Sequence, residues 1–172
     1  MERGKIKQEI LKGKIFIYPT DTVYGIGCDA TNLASVEKIK EIKNRDRDKP
    51  ISIIAPSVKW IEEHCIVDSN LGKYLPGPYT LILKKKDSNF LRQVANCETL
   101  GVRIPRCDFT KIVQEVGRPF VTTSVNLSGE PFAVRVSEIK EEILKQVDIV
   151  IDEGELDGRP STFVIDGKEV KR

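Results

Sequence analysis

Two basic side chains, Lys43 and Arg45, follow a predicted helix whose apolar face ends at Ile42. On a continuing helix they would point about 200° apart, whereas on an extended segment they point to the same side. Six Lys or Arg stand against three Asp or Glu from Lys38 to Lys49, which indicates a local positive patch. If the chain is extended after Ile42, both cations can reach one phosphate group, and we predict this arrangement. A solvated helix end is the alternative, since helix C-termini favour cations.

Polar side chains also occupy alternate positions of a β-rich run, at Thr122, Ser124 and Asn126. Residues two apart on a strand face the same way, so these three predict one polar face near a strand end. Ligands of open α/β sheets commonly bind at strand ends, which favours a recognition site. An edge strand with one solvated face is the alternative.

A third polar segment, residues 19–25 (PTDTVYG), follows a short apolar strand. Its hydroxyl groups and its glycine would let backbone amides approach a small polar substrate. In the alternative interpretation, the segment is a strand exit whose Asp and Thr side chains satisfy free backbone groups. Both interpretations are open on the residues alone.

Several catalytic motifs are absent from the sequence. It contains neither G-x-x-x-x-G-K-[ST] nor G-x-G-x-x-G, so neither a P-loop nor a dinucleotide fold is indicated. A single histidine, His64, and the lack of G-x-S-x-G argue against a Ser-His-Asp hydrolase. The four cysteines lack metal-site spacing, and we predict no metal-ligating residue. The remaining cations and hydroxyls suit catalysis by positioning and charge neutralisation.

Helices and strands that would position these segments alternate along the chain. Helices are predicted at residues 2–12, from the N-cap Asn32 to Ile42, after Ser57, from the cap Asp108 to Gly117, and after the cap Ser137. Strands are predicted at 14–18, 51–55, 80–86, 101–106, 119–126 and 147–152, with a hairpin at 163–170 turning at Asp166-Gly167.

The expected fold is α/β (mixed α+β), with one mixed, twisted sheet flanked by helices in three layers. Strands 51–55 and 147–152 are apolar almost throughout, which indicates a sheet covered on both faces. The 172 residues predict a single domain, 1–172, and the net charge of +2 gives no strong overall field for DNA or a membrane. Without a signal peptide or a long apolar run, we expect a reduced, cytoplasmic protein.

Four segments together resemble the YrdC-like family of threonylcarbamoyl-adenylate synthases. These are PTDTVYG at 19–25, K-x-R with a following KP at 43–50, G-V-R-x-P at 101–105 and S-x-N-x-S-G at 124–129. The resemblance implies that threonine and bicarbonate form a carbamate, which attacks the α-phosphorus of ATP to give threonylcarbamoyl-AMP and pyrophosphate. It also implies Mg²⁺ carried with ATP, and a downstream transferase complex that modifies an adenosine beside the tRNA anticodon.

The same resemblance assigns roles to individual residues. The family's K-R-S-N tetrad falls on Lys43, Arg45, Ser124 and Asn126. Threonine would contact Thr22, Arg103, Thr122, Ser124 and Ser161, and ATP would contact Arg45, Lys49, Thr99, Asn126 and Arg172. Arg103 has the chemistry of a bidentate carboxylate clamp.

This chain departs from the family pattern at a few positions. Lys49 and Ile54 stand where many members have Asn and His, and Thr123 and Val125 replace a proline and a small residue. The chain also stops at Arg172, without the C-terminal domain of longer relatives, so a minimal catalytic domain is expected.

Two alternative functions remain open on the sequence. One is a module without synthase activity that binds double-stranded RNA through Lys84-Lys85-Lys86 and the cluster around Lys43. The other is a paralogue that acts on a different carbamoyl or adenylate substrate, because no residue type by itself selects threonine.

Overall fold

The computed structural model describes residues 1–67, 70–156 and 158–171. Its helices are α1 (Arg3–Leu11), α2 (Leu33–Ile42), α3 (Val58–His64), α4 (Asp108–Val116) and α5 (Glu141–Leu144). Its strands are β1 (Phe16–Tyr18), β2 (Gly25–Gly27), β3 (Ser52–Ile54), β4 (Tyr79–Lys84), β5 (Thr99–Arg103), β6 (Phe120–Ser124), β7 (Ile149–Val150), β8 (Thr162–Ile165) and β9 (Lys168–Val170). No helix in the described ranges is long and apolar enough to cross a membrane.

All these strands join one sheet in the order β7-β1-β2-β6-β3-β5-β4-β8-β9. The pairs β1/β7, β3/β5 and β4/β8 are parallel, and the other neighbours are antiparallel. The predicted mixed sheet is thus confirmed. Of the two apolar strands that indicated a sheet covered on both faces, 51–55 contains the central strand β3, whereas 147–152 contains β7 at the sheet edge, where Val150 is 40% exposed.

Helices pack on both faces of the sheet, as the alternation of side chains along the strands requires. One apolar cluster joins the strand residues Ile17, Ile26, Ile53, Val102 and Val121 to Val36 and Ile39 of α2, Ile61 of α3 and Ile143 of α5. The other joins Phe16, Tyr18, Ile54 and Phe120 to Ile6 and Ile10 of α1 and to Phe109, Ile112 and Val113 of α4. The expected three-layer arrangement follows.

The sheet face that packs against α1 and α4 changes from apolar to polar along its strands. Phe120 of β6 packs under α4, but Thr122 and Ser124 follow at the same face of the same strand. On the antiparallel strand β3, Ile54 lies opposite Phe120, and Ser52, two residues before it on the same face, lies opposite Thr122. The helices therefore cover only part of this face, and the uncovered part carries small and polar side chains.

Local capping explains several helix boundaries. Asn32 and Ser57 accept hydrogen bonds from the amides of Ser35 (3.1 Å) and Trp60 (3.0 Å), which confirms both predicted N-caps. Gly117 ends α4 with φ +73°, as expected of a C-terminal glycine. The predicted cap Asp108 is wrong by one residue, because Cys107 is the N-cap and Asp108 lies in the first turn, bonded to Lys111.

The C-terminal elements agree only in part with their predictions. The hairpin turn is confirmed: Asp166 and Gly167 have φ of +49° and +72°, as a two-residue turn of twisted strands requires. The single helix expected after Ser137 is wrong. A one-turn 3₁₀ helix, Val136–Glu138, is followed by extended Ile139 and then by α5. The Glu138 carboxylate accepts from the amide of Val134 (2.9 Å) and so stabilises the N-terminal side of this turn.

Candidate active site

The C-terminus of α2 delivers two cations through a left-handed turn. Lys43 remains helical (φ −81°, ψ −3°), and Asn44 then adopts φ +47°. The amide of Asn44 donates to the Glu41 carbonyl and that of Arg45 to the Lys40 carbonyl, both at 2.9 Å. This pair of bonds is a Schellman motif. The predicted extended segment is wrong, because the reversal at Asn44 and not alternation along a strand redirects the chain between Lys43 and Arg45.

This turn gives the first testable prediction. Asn44→Val should lower the free energy of unfolding by about 1–2 kcal/mol, because a β-branched residue is strained at positive φ. Asn44→Gly should stay within about 1 kcal/mol of the parent, because glycine adopts this conformation without strain. Urea titration measures both values. Equal stability of the Val and Gly variants would show that the left-handed turn does not hold the end of α2.

Lys43 is 2% exposed and joins the end of α2 to the end of β6. Its ammonium group donates to the Ser124 carbonyl, to the Asn126 carbonyl (2.8 Å) and to Asn126 Oδ1 (3.0 Å). Its own carbonyl accepts from the Ser128 amide at 3.0 Å. These three acceptors are neutral oxygen atoms, and they orient the ammonium group.

Ser124 and Asn126 meet for a different reason from the one predicted. The strand β6 ends at Ser124, and Asn126 lies in the following bend, where its amide donates to the Ser124 carbonyl at 3.1 Å. The Ser124 hydroxyl donates to Asn126 Oδ1 at 2.7 Å, and Asn126 Nδ2 donates to the Glu130 carbonyl at 2.6 Å. A shared strand face is therefore wrong for Asn126, although its side chain does reach that of Ser124.

Arg45 and Lys49 belong to one loop that closes on itself. Arg45 Nη2 donates to the Pro50 carbonyl at 2.7 Å, and the Lys49 amide donates to the Asp46 carbonyl at 3.1 Å. Burial lowers the pKa of the Arg45 guanidinium, which nevertheless stays charged because its ordinary pKa is so high. The loop thus presents two positive side chains.

Arg103 is 6% exposed and is held by the loop at 19–25. Its Nη2 contacts Asp21 Oδ1 at 2.5 Å, and the other carboxylate oxygen of Asp21 accepts from the Arg106 amide at 2.8 Å. Nη1 and Nη2 both lie 3.4 Å from the Thr22 hydroxyl. The buried Nε–H of Arg103 has no hydrogen-bond partner among the described residues. A buried orphan donor costs free energy, so this group suits an acceptor supplied by a ligand.

Paired hydroxyl groups surround Arg103. Thr20 and Thr22 lie 2.8 Å apart through their hydroxyls, and so do Thr80 and Ser161. Behind them, the buried Tyr18 hydroxyl donates to Thr122 at 2.7 Å. Burial raises the pKa of Tyr18, so this phenol remains a neutral donor. These groups provide hydrogen bonds without titrating near neutral pH.

Residues 152–156 and 158–161, here called the strap, lie against the loop at 19–25. The Tyr24 hydroxyl accepts from the Glu153 amide (3.0 Å) and donates to the Gly154 carbonyl (2.8 Å). At Gly158 the two backbones approach so closely that a Cβ would lie 1.2 Å from the Thr22 carbonyl oxygen. Only glycine therefore fits at this position. The strap also brings Ser161 to the cavity that Thr22 lines.

Many of these groups line one cavity of about 500 Å³ on the uncovered part of the sheet face. It brings together ten of the predicted site residues: Thr22, Lys43, Arg45, Lys49, Thr99, Arg103, Thr122, Ser124, Asn126 and Ser161. Arg172, predicted to contact ATP, lies outside the described residues. Four lining residues are cationic, and no described lining residue is acidic. Nor do the described ranges hold a group of three His, Cys, Asp or Glu able to bind a metal ion.

Other lining residues were missed by sequence reasoning, namely Thr20, Tyr24, Ser52, Thr80, Gly101 and Ser128. Thr20 and Tyr24 belong to the polar loop that was singled out, so a signal for them existed. Gly101 stood in the G-V-R motif, and its role is space: a Cβ there would lie 2.5 Å from the Ser52 hydroxyl. Nothing in the sequence marked Ser52 or Thr80, which only the strand register brings to the cavity.

Of the three consecutive lysines, Lys84 and Lys86 are exposed, whereas Lys85 is not available to an RNA-binding surface. Lys85 is 3% exposed and donates to the carbonyls of Ser88 (2.9 Å), Phe90 (3.0 Å) and Ala95 (2.9 Å). It ties down the connection after β4, and its burial lowers its pKa. The triplet therefore does not present three cations to solvent.

Three comparisons, two of sequence and one of structure, relate this chain to known proteins. The model of the Sua5/YciO/YrdC family, described as telomere recombination, matches residues 8–172. A Methanocaldococcus jannaschii protein, provisionally named threonylcarbamoyl-AMP synthase, is 41% identical over 95% of this chain and 81% of its own length.

Solved structures show the same fold. Pyrococcus abyssi Sua5 in complex with L-threonine superimposes with a TM-score of 0.84 at 28% identity, over 98% of this chain but 52% of the Sua5 chain. This chain thus spans about half the length of that relative. Escherichia coli YciO has a TM-score of 0.83 at 27% identity, over 98% of this chain and 86% of its own.

Proposed function

Because the chain belongs to the Sua5/YciO/YrdC family, we propose that it is an L-threonylcarbamoyladenylate synthase, a transferase of the nucleotidyltransferase class. It would convert ATP, L-threonine and bicarbonate to threonylcarbamoyl-AMP and pyrophosphate. The observation that carries the proposal is the cavity lining, with four cations and paired hydroxyls but no acidic side chain among its described residues. Such a lining suits a triphosphate beside a small hydroxylated amino acid.

Charge neutralisation would drive the chemical step. Threonine and bicarbonate first give a carbamate with loss of water; a carbamate oxygen then bonds to the α-phosphorus as the bond to pyrophosphate breaks. Negative charge builds up on the transferred and leaving phosphates, where Arg45, Lys49 and the buried charge of Lys43 would stabilise it. Mg²⁺ would arrive bound to ATP and share this task, since the described lining offers it no carboxylate.

The opposite end of the cavity would hold threonine. The orphan Nε–H of Arg103 is a donor for an anionic oxygen, and the hydroxyls of Thr22 and Ser161 are partners for polar atoms of a small ligand. Asp21 already balances the charge of Arg103, so this end binds through directed hydrogen bonds more than through net charge. Thr122 and Ser124 of β6 also line the cavity.

The fit of Gly158 against Thr22 gives the second prediction. Gly158→Ala should raise the KM for threonine by about tenfold or more, because the strap and Ser161 must move away from Thr22. Glu153→Ala, at an exposed residue of the same segment, is the control for a general effect of alanine there. A Gly158 variant with unchanged threonine kinetics would contradict the close approach.

The test of the function is pyrophosphate release by the pure protein with ATP, Mg²⁺ and bicarbonate. We expect release only when threonine is added, with serine and alanine as matched amino acids. Release that is independent of threonine would favour the paralogue with another substrate. Salt-sensitive tRNA binding without any ATP turnover would favour an RNA-binding module.

We propose further that residues 1–172 act as one catalytic domain, in the cytoplasm, where ATP and tRNA are available. The product would be consumed by a transferase complex that attaches the threonylcarbamoyl group to an adenosine beside the anticodon. In this proposal the protein contacts tRNA at most transiently, because the transferase complex carries out the transfer. Arg172 keeps its predicted role at the nucleotide.

A further inference from the structure

The inner side of α2 carries one charged residue among apolar ones. Val36, Ile39 and Ile42 are buried there, and Lys40, four residues after Val36, has a side chain only 6% exposed. Burying an ammonium group is unfavourable unless its donors are satisfied. Its Nζ lies 3.2 Å from Glu37 Oε1 and donates to the Arg47 carbonyl at 2.9 Å.

Lys40 holds the following loop at two points. Its carbonyl accepts from the Arg45 amide at 2.9 Å, and its ammonium group bonds the carbonyl of Arg47 two residues later. The loop then continues to Lys49 and Pro50, whose carbonyl accepts from Arg45. One residue on the helix thus fixes the backbone on both sides of Asp46.

The charges that face Lys40 come from its own helix and from the loop. Glu37 contacts both Lys40 and Arg47 Nε (3.8 Å), and Glu41 contacts Arg47 Nη2 (3.8 Å). The two pairs of Arg47 lie at the surface and contribute little by themselves, whereas the pair of Lys40 with Glu37 is largely buried on the lysine side. The buried bond from Lys40 to a carbonyl is the directed contact, and it does not depend on them.

We propose that Lys40 is a positioning residue for the nucleotide: it fixes the loop that presents Arg45 and Lys49 to the cavity, without lining the cavity itself. The inference rests on the proposed function for its ligand class, a nucleoside triphosphate. Without the ammonium group the loop loses its attachment at Arg47, and both cations lose their fixed place. The side chain of Lys40 bonds Glu37 and Arg47, and neither contact reaches the threonine end built from Thr22, Arg103 and Ser161.

Lys40→Met tests this role, since methionine keeps an unbranched apolar stem and removes the ammonium group with its charge and its donors. We expect the KM for ATP to rise by about tenfold, with the KM for threonine within about twofold of the parent, as misplacement of one binding group predicts. Lys40→Arg should restore much of the ATP affinity, because it can still donate to Arg47. Lys38→Met, at an exposed lysine of the same helix, is the matched control.

A second readout separates this inference from the function itself. Binding of inorganic triphosphate and of a non-hydrolysable ATP analogue, measured by calorimetry, should weaken in Lys40→Met relative to Lys38→Met even if the parent releases no pyrophosphate. Urea titration should show that Lys40→Met remains folded. A folded Lys40→Met variant that binds triphosphate like the control, or one whose ATP and threonine constants rise equally, would overturn the proposal.

Discussion

Replacing Lys43 with methionine is expected to lower kcat/KM for ATP by at least about a hundredfold, equivalent to about 3 kcal/mol of transition-state stabilisation. The buried ammonium places a positive charge beneath Ser124 and Asn126, at the wall of the cavity. Methionine would remove that charge and would also free the turn after β6. Steady-state pyrophosphate release at varied ATP measures the loss.

Lys85→Met is the control that separates catalysis from stability. Lys85 is buried to the same extent as Lys43 and also donates to three oxygen atoms, but it does not line the cavity. Each variant should lose about 1–3 kcal/mol of unfolding free energy, because carbonyl groups are left without donors. Only Lys43→Met should lose turnover. A folded Lys43→Met variant with full turnover would remove Lys43 from the mechanism.

Replacing Arg103 with leucine is expected to abolish measurable use of threonine and to lower the unfolding free energy by about 3–5 kcal/mol. The stability loss arises because Asp21, 11% exposed, would keep its charge without its partner. The loss of activity arises because leucine lacks both the Nε–H donor proposed to bind threonine and the guanidinium contacts to the Thr22 hydroxyl. Urea titration and threonine kinetics measure the two effects separately.

The double variant Asp21→Asn/Arg103→Leu distinguishes these effects. Removing both charges should recover most of the lost stability, whereas threonine use should stay absent. Arg118→Leu provides a matched control, since Arg118 pairs with buried Asp29 at 2.8 Å but does not line the cavity. It should reduce stability and leave the threonine KM unchanged. Recovery of activity in the double variant would show that Arg103 serves the fold alone.

Local features of the fold were predictable because their physics is local. Asn32 and Ser57 mark helix starts because their side chains bond backbone amides three residues later. Gly117 marks a helix end, and Asp166-Gly167 a hairpin turn, because both adopt positive φ. The expected extended path after Ile42 failed at a single residue. Asn44 tolerates positive φ, and sequence periodicity carries no signal for such a reversal.

The candidate site was predictable to the extent that a resemblance supplied it. Residue chemistry marked Lys43, Arg45, Ser124 and Asn126 as pairs, but their meeting depends on tertiary contacts between α2 and β6. The ion pair of Arg103 with Asp21 and the burial of Lys85 were not foreseeable, because each depends on elements that lie far apart in the sequence or on a loop path. Ser52 and Thr80 enter the cavity only through strand register.

Mass spectrometry of the adenylated product shows whether the protein makes threonylcarbamoyl-AMP from threonine and bicarbonate. The pure protein is incubated with ATP, Mg²⁺, L-threonine and carbon-13 bicarbonate, and the AMP adducts are identified. We predict threonylcarbamoyl-AMP that contains one labelled carbon, formed together with pyrophosphate and missing when threonine is left out. An adduct of AMP with threonine that lacks the label, or no adduct under conditions where the protein binds ATP, would contradict the account.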